Sequence, residues 1–452
     1  MASRPFAIPT DGSYTLRDAK VPRALLDIED ALHFPANADG LNLVNIDVED
    51  GRIASVFPAG WVSEDQVVDL GGRQVWPCFA DLHAHLDKGF IAQRAIGPDG
   101  TGCGAFKTVA ADRAVHWSTS DVERRFEFGL RCAYARGTSI IRTHIDSVAP
   151  QAQVSWAVFH RLQQAWSGRI ALQGVSMAGL DVYLSDAGEA LADLVQRSGG
   201  SALGGATRPG VPGLQDMSIV DSGLDRIFAL AAARGLDVDL HVDETGDPAA
   251  ATLERVAAAV LRGRFKGQVV CGHCCSLSVQ SEEVATHTIA LCREAGLAVV
   301  SLPMANLYLQ GRRPGRTPTW RGITLVHELR AAGVPVAFAS DNCHDPFFAF
   351  GDLDMLEVFK EAVRIAHLDM PYGDWPASVT STPARLMRQP SHGTIRVGAP
   401  ADLVIFEGRS MSELLSRSED RRVVLRSGAR IDATAPDHSE LDDLFGAKAA
   451  AI

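Results

Sequence analysis

The chain has 452 residues, 46% of them apolar and 22% charged, which is enough apolar side chain to bury a large core and too much for general disorder. A formal net charge of -12 offers no basic stripe to a phosphate backbone, so nucleic acid is set aside as a partner. No apolar run is long enough to cross a bilayer, residues 1–14 lack the apolar stretch of a secretory leader, and the 8 cysteines are too scattered for a disulfide framework, so a cytoplasmic protein is expected.

Taken in order, residues 24–28, 42–48, 52–57 and 66–69 read as short strands, the middle two joined by the turn Glu49-Asp50-Gly51. The same texture returns at 401–406, 423–426 and 430–432, with a turn at Ser427-Gly428. Two strand-rich ends around a long middle predict one small β-sandwich domain assembled from residues 1–74 and 397–436. Residues 437–452 carry no such pattern and are expected to be a tail.

Between the ends, apolar segments at 75–85, 138–146, 170–179, 202–206, 236–244, 268–273, 297–306 and 334–342 alternate with helical patterns. Apolar, β-branched runs of this length suit a parallel sheet covered on both faces, and eight in succession predict closure into a (β/α)₈ barrel over residues 75–396. Ser120-Asp121-Val122-Glu123 reads as a capping box, after which Phe126, Leu130 and Ala133 share a helix face. The stretch 94–116, rich in small residues, reads as a long loop able to close over a pocket as a lid. Glycine-rich residues 198–213 lack the Gly-Lys-Ser/Thr ending of a phosphate loop and read as a mobile connection.

Residues at the C-terminal ends of barrel strands converge on one mouth. The first strand ends in His83-Ala84-His85, and side chains two apart on a strand face the same way. The fifth ends in His241-Val242-Asp243-Glu244, the sixth in His273, and the eighth in Ser340-Asp341-Asn342. Three neutral imidazoles and a carboxylate give a divalent ion a site with a position left for water, whose pKa the ion lowers toward neutrality. Glu244, just beyond the strand, can approach the open side and shuttle protons. Cys271-Gly272-His273-Cys274 has CxxC spacing, but it lies inside the barrel series, so its thiols read as buried rather than redox-active.

The order His-x-His, His-x-x-Glu, His, Asp, without a bridging lysine on the fourth strand, resembles the mononuclear members of the amidohydrolase superfamily, the cytosine deaminase-like group in particular. The likeness spans about residues 40–432 and rests on Leu82-His83-Ala84-His85-Leu86-Asp87, Arg142-Thr143-His144-Ile145-Asp146, residues 306–312, residues 321–324, Asp341-Asn342-Cys343-His344-Asp345-Pro346-Phe347 and Ala399-Pro400-Ala401-Asp402-Leu403-Val404. The resemblance implies one Zn²⁺ or Fe²⁺ on His83, His85, His241 and Asp341, with Glu244, His273 and Asp341 as catalytic residues. It also implies hydrolytic deamination of a small amino-substituted heterocycle. Alternatives are removal of substituted amines from hydroxy-triazines, opening of a cyclic amide and, in a different class, a non-enzymatic binding barrel.

Substrate contacts are expected from Lys88, Gln310, Asn342 and Phe347, with Phe348 a further candidate, and support behind the ligands from His144 and Asp146. The resemblance departs at Gly179, where cytosine deaminases place a glutamine, and at Asn342, where the group has a second aspartate. Lys88 replaces a small hydroxyl residue, and the string His-x-His-Leu-Asp-Lys is similar to triazine-acting relatives; a cation there suits an acidic ring oxygen. A small heterocyclic substrate is the expected partner, and a homo-oligomer the expected assembly.

Overall fold

The computed structural model describes residues 7–9, 12–28, 34–60, 66–97, 99–207, 217–417 and 421–446, and its contacts divide the chain into two compact units. The first comprises residues 1–80, 133–139 and 355–435. Its strands run in the order Ala429–Arg430, Arg422–Arg426, Leu403–Phe406, Gln74–Pro77, Tyr14–Pro22, Leu41–Glu49 and Arg52–Pro58, with Gln66–Asp69 also paired to Tyr14–Pro22. Both chain ends therefore enter one connected sheet, joined where Gln74–Pro77 meets Leu403–Phe406. A Cβ on Gly51 would sit 2.7 Å from the Ser427 carbonyl oxygen, so only glycine lets the two hairpin turns touch.

Two elements of this unit escape the sequence pattern. Tyr14–Pro22 is a strand whose register shifts between Leu16 and Ala19, where Asp18 adopts φ 56° and its amide donates to the Asn45 side chain over 2.9 Å. That bulge breaks the alternation by which strands are read. The expected strand at 24–28 is replaced by the 3₁₀ turn Arg23–Leu25. Residues 355–396 group with this sheet rather than with the barrel residues among which the sequence division counts them. Phe359, on the helix Met355–Ala366, meets the Trp76 ring edge-on at 5.5 Å, and Phe406 meets it at 6.2 Å.

The second unit comprises residues 81–132, 140–354 and 436–452. The barrel strands are β1 (Phe79–Ala84), β2 (Thr138–Asp146), β3 (Ala171–Met177), β4 (Ala202–Ala206), β5 (Asp237–Val242), β6 (Val269–His273), β7 (Ala298–Ser301) and β8 (Val336–Phe338). They pair in sequence order. Ala84 then bridges Asp341 in parallel, which closes the ring as a (β/α)₈ barrel. Every residue of β2, β5, β6 and β7 is buried, as strands covered on both faces must be.

Differences from expectation are local. β7 ends at Ser301 because Pro303, which has no N–H to leave unpaired, starts the helix Pro303–Leu309. The presumed loop 94–116 contains the helix α1 (Gly102–His116), opened by Thr101, whose hydroxyl accepts from the Gly104 amide. Helix α2 (Thr119–Ala135) is capped by Ser118, which accepts from the Asp121 amide over 3.3 Å, and not by Ser120. Near the chain end, residues 438–445 form helical turns that ion pairs from Arg124 to Asp443 and from Arg131 to Glu440 hold on α2. Residues 208–213 of the expected mobile connection lie outside the described residues. No helix among the described residues is long and apolar enough to cross a membrane.

Candidate metal centre

The pleat of β1 aims His83 and, one step beyond the strand, His85 to the same side, and His241 comes from β5 across the mouth. His241 Nε2 lies 3.2 Å from both His83 Nε2 and His85 Nε2. Asp341 Oδ1 lies 3.6 Å from His83 Nε2 and 3.2 Å from His85 Nε2. Asp341 has φ 65°, an uncommon conformation outside glycine, and its amide donates to the His83 carbonyl over 2.8 Å. Ring closure and ligand placement are thus one piece of backbone.

Burial holds all three imidazoles well below their usual pKa, with neighbouring imidazoles adding to the effect at His83 and His241, so they are neutral donors. Burial likewise pushes the Asp341 carboxyl up to about 6. Both Asp341 oxygens are buried without a hydrogen-bond partner, an arrangement that costs free energy unless a cation satisfies them. Four converging nitrogen and oxygen atoms, three neutral and one anionic, fit a divalent ion of the zinc or iron type. The His273 and Asp341 donors also lie within 4.8 Å of His83.

Beneath the cluster is a polar layer that the sequence reading only partly anticipates. The His144 ring lies 3.9 Å from that of His83, and its Nε2 is 3.6 Å from Asp239 Oδ1. Arg142 Nη1 pairs with Asp239 Oδ2 at 3.0 Å, and its Nε and Nη2 donate to Gln173 Oε1 at 3.0 and 2.9 Å. Burial raises Asp239 to about 6 in spite of that arginine. The available signal was two charged residues, Arg142 and Asp239, inside otherwise apolar strands. Packing here is close: a Cβ on Gly272 would come within 3.0 Å of the His83 ring.

His273 ends β6 with φ 68°, and its Nδ1 lies 2.9 Å from the Asn306 amide nitrogen and 3.8 Å from Glu244 Oε1. With the amide donating, the proton of a neutral ring rests on Nε2. Asn306 entered the sequence reading only inside the motif at 306–312, and its side-chain amide is what faces the His273 ring at Nδ1. The Gln310 amide donates to the Glu244 carbonyl over 3.2 Å. These contacts bring Glu244, His273, Asn306 and Gln310 together beside the ligands.

The expected substrate residues divide into two groups. Lys88 is buried, 3.8 Å from Asp146 Oδ1 and 4.9 Å from the centre of the Phe347 ring. Asp146 also receives Arg113 of α1 at 2.6 Å, so it faces both Lys88 and Arg113 while its charge also acts on His85. The Asn342 amide donates to Asp345 Oδ2 over 2.6 Å, while Asp345 Oδ1 accepts the amides of Phe347 and Phe348; Asn342 therefore shapes the aromatic loop. Phe348 packs edge-on to Tyr308 at 5.6 Å. Gly179 follows β3, bridged to Ala206. Cys271 and Cys274 are buried, and burial pushes both thiols well up, against any thiolate role.

Comparison with known proteins supplies the remaining findings. Residues 142–432 match the amidohydrolase family. The chain is 52% identical over 412 residues to a pterin deaminase of Rhizobium rhizogenes, covering 91% of this chain and 93% of that one. It is 24% identical over 369 residues to an N-isopropylammelide isopropyl amidohydrolase of a Pseudomonas species, covering 80% and 86%. The crystal structure of 5-methylcytosine deaminase from Klebsiella pneumoniae with 5-fluorocytosine superposes with a TM-score of 0.78 at 24% identity, over 94% of this chain and 98% of that one.

Proposed function

The chain belongs to the amidohydrolase family, and from that premise we propose that it hydrolyses the exocyclic C–N bond of a pterin-type ring and releases ammonia. The observation that carries the reading to pterins is the 52% identity to the pterin deaminase over nearly the whole of both chains. A pterin bears its amino group on an amidine carbon between two ring nitrogens. Water adds there, the C–NH₂ bond breaks, and an oxo ring and ammonia result.

His83, His85, His241 and Asp341 would hold one divalent ion, Zn²⁺ or Fe²⁺, which would supply Lewis acidity and activate water at neutral pH. Glu244 protonates the ring nitrogen beside the amidine carbon, which makes that carbon electrophilic. His273 donates from Nε2 to the attacking oxygen, as the Asn306 contact at Nδ1 favours. Asp341 takes a proton from the water and passes it to the departing amine. Lys88 faces the acidic ring oxygen, and Phe347 packs on the ring plane.

Metal-loaded protein assayed for ammonia with pterin, cytosine, guanine and an amino-triazine tests this. Pterin is expected to have a kcat/KM about 100-fold or more above the others; faster release from cytosine would remove the pterin assignment. A second reading is amine removal from a hydroxy-triazine, favoured by the Lys88 string and by the likeness to the isopropyl amidohydrolase. It predicts isopropylamine from N-isopropylammelide in the same panel, while opening of a cyclic amide would release neither product.

A further inference from the structure

The segment after β1 carries both His85 and Lys88, and its backbone is gripped from outside the pocket. Arg125, on α2, is fully buried. Its Nη1 donates to the carbonyls of Asp87 at 2.8 Å and Gly89 at 2.9 Å, the two that flank Lys88. Its Nε and Nη2 donate to Asp121 Oδ2 at 2.9 and 2.7 Å. The Trp117 ring covers the guanidinium at 5.2 Å.

Asp121 is anchored in turn. Arg94 reaches its two oxygens at 2.6 and 3.0 Å and pairs with Asp112 at 2.9 Å, and Asp112 accepts from the Trp117 indole at 2.8 Å. A buried guanidinium is costly unless its donors are matched, and here the planar fork reads one carboxylate and two carbonyls at once. A lysine ammonium at the same place has no fork to divide between them. With the backbone fixed on both sides, the Lys88 side chain leaves the segment in one direction, toward Asp146 and the Phe347 ring.

We propose that Arg125 is a positioning residue for the pocket, fixing through the Asp87 and Gly89 carbonyls the direction in which Lys88 meets the substrate. This rests on the proposed contact between Lys88 and a ring oxygen, so one of the two readouts needs no substrate. The holoenzyme and its Arg125→Lys, Arg125→Gln and Asp121→Asn variants are treated by reductive methylation, and Lys88 labelling is followed by peptide mass spectrometry. Lys360, also buried, serves as the reference. Lys88 is expected to label about fivefold faster or more in the variants with Lys360 unchanged, since only the segment after β1 is loosened. Unchanged Lys88, or Lys360 rising in step with it, overturns the proposal.

The second readout is steady-state kinetics with pterin. KM is expected to rise about tenfold with kcat within about threefold, and the effect is expected to vanish in a Lys88→Met background, as coupled residues require. Equal fractional losses in both backgrounds overturn the positioning role. Should the wild-type enzyme release no ammonia from pterin, the functional reading falls, and the labelling result still decides the role of Arg125. Asp121→Asn leaves Arg125 in place without its orienting carboxylate, and decides by the same readouts where the Arg125 variants do not fold.

Discussion

The amide of Asp341 donates to the carbonyl of His83 over 2.8 Å, so the proposed ligand at the end of the barrel is hydrogen-bonded to the one at its start. An ion held by both residues would be coupled to barrel closure through that bond. Asp341→Asn, which removes the charge but keeps the shape, is expected to lower retained metal severalfold after dialysis and turnover by about 10³-fold or more. Elemental analysis with a single-turnover assay measures both. Full metal content with wild-type turnover would take Asp341 out of the ligand set.

Glu244→Gln is expected to keep one metal per chain and lose about 10²- to 10⁴-fold in kcat, the range for removing a general acid. Its side chain lies 3.8 Å from His273 Nδ1 and outside the four-donor cluster. An unchanged rate would assign proton transfer elsewhere.

Asn306→Asp puts an acceptor where His273 Nδ1 now faces an amide donor. The ring proton is then drawn to Nδ1, and Nε2 loses its donor. A fall in kcat of about tenfold to 100-fold with KM little changed is expected. A KM effect alone would mean that His273 binds substrate without acting on the attacking oxygen.

Lys88→Met is expected to raise KM about tenfold for rings with an acidic oxygen while sparing neutral rings. Equal losses across both sets would remove the charge contact and leave only packing against Phe347.

The share of stability set by the buried histidines is expected to fall in acid, against the opposite contribution of Asp239 and Asp341, whose carboxyls burial raises to about 6. Burial depresses the pKa of His83, His85, His144 and His241 in the fold. The unfolded chain therefore takes up protons below pH 6.5 that the native protein refuses. Each depressed histidine contributes stability that is present above pH 6.5 and is lost as pH falls, by up to about 1.4 kcal/mol per pH unit. Urea unfolding of the metal-free protein and its His144→Gln variant at pH 7.5 and 5.5 checks the sign; a variant that loses as much stability on acidification as the parent contradicts it.

Much of this was legible in the chain itself because strand periodicity is local. His83 and His85 share a face by their spacing alone, and apolar runs mark where His241, His273 and Asp341 leave the barrel. The pairing of Arg125 with Asp121 lay within an i,i+4 spacing rule, but its grip on backbone carbonyls 36 and 38 residues away did not, because no pattern of side chains encodes it. Asn306 was hidden by Pro303, which turns the expected strand end into a helix and swings the amide toward His273. Helix α1 was missed because Gly102 and Gly104 read as loop, although Thr101 caps the first turn.

Helix α1 has one more implication. Asp112 binds it to Arg94 and Arg113 binds it to Asp146, through side chains largely withdrawn from solvent. Two such neighbouring ties oppose a gate-like swing of the 94–116 segment, which would leave discrimination to the shape and charge that a ring encounters on arrival. Admitting a bulkier molecule would then require rewiring those ionic contacts, not loosening a hinge.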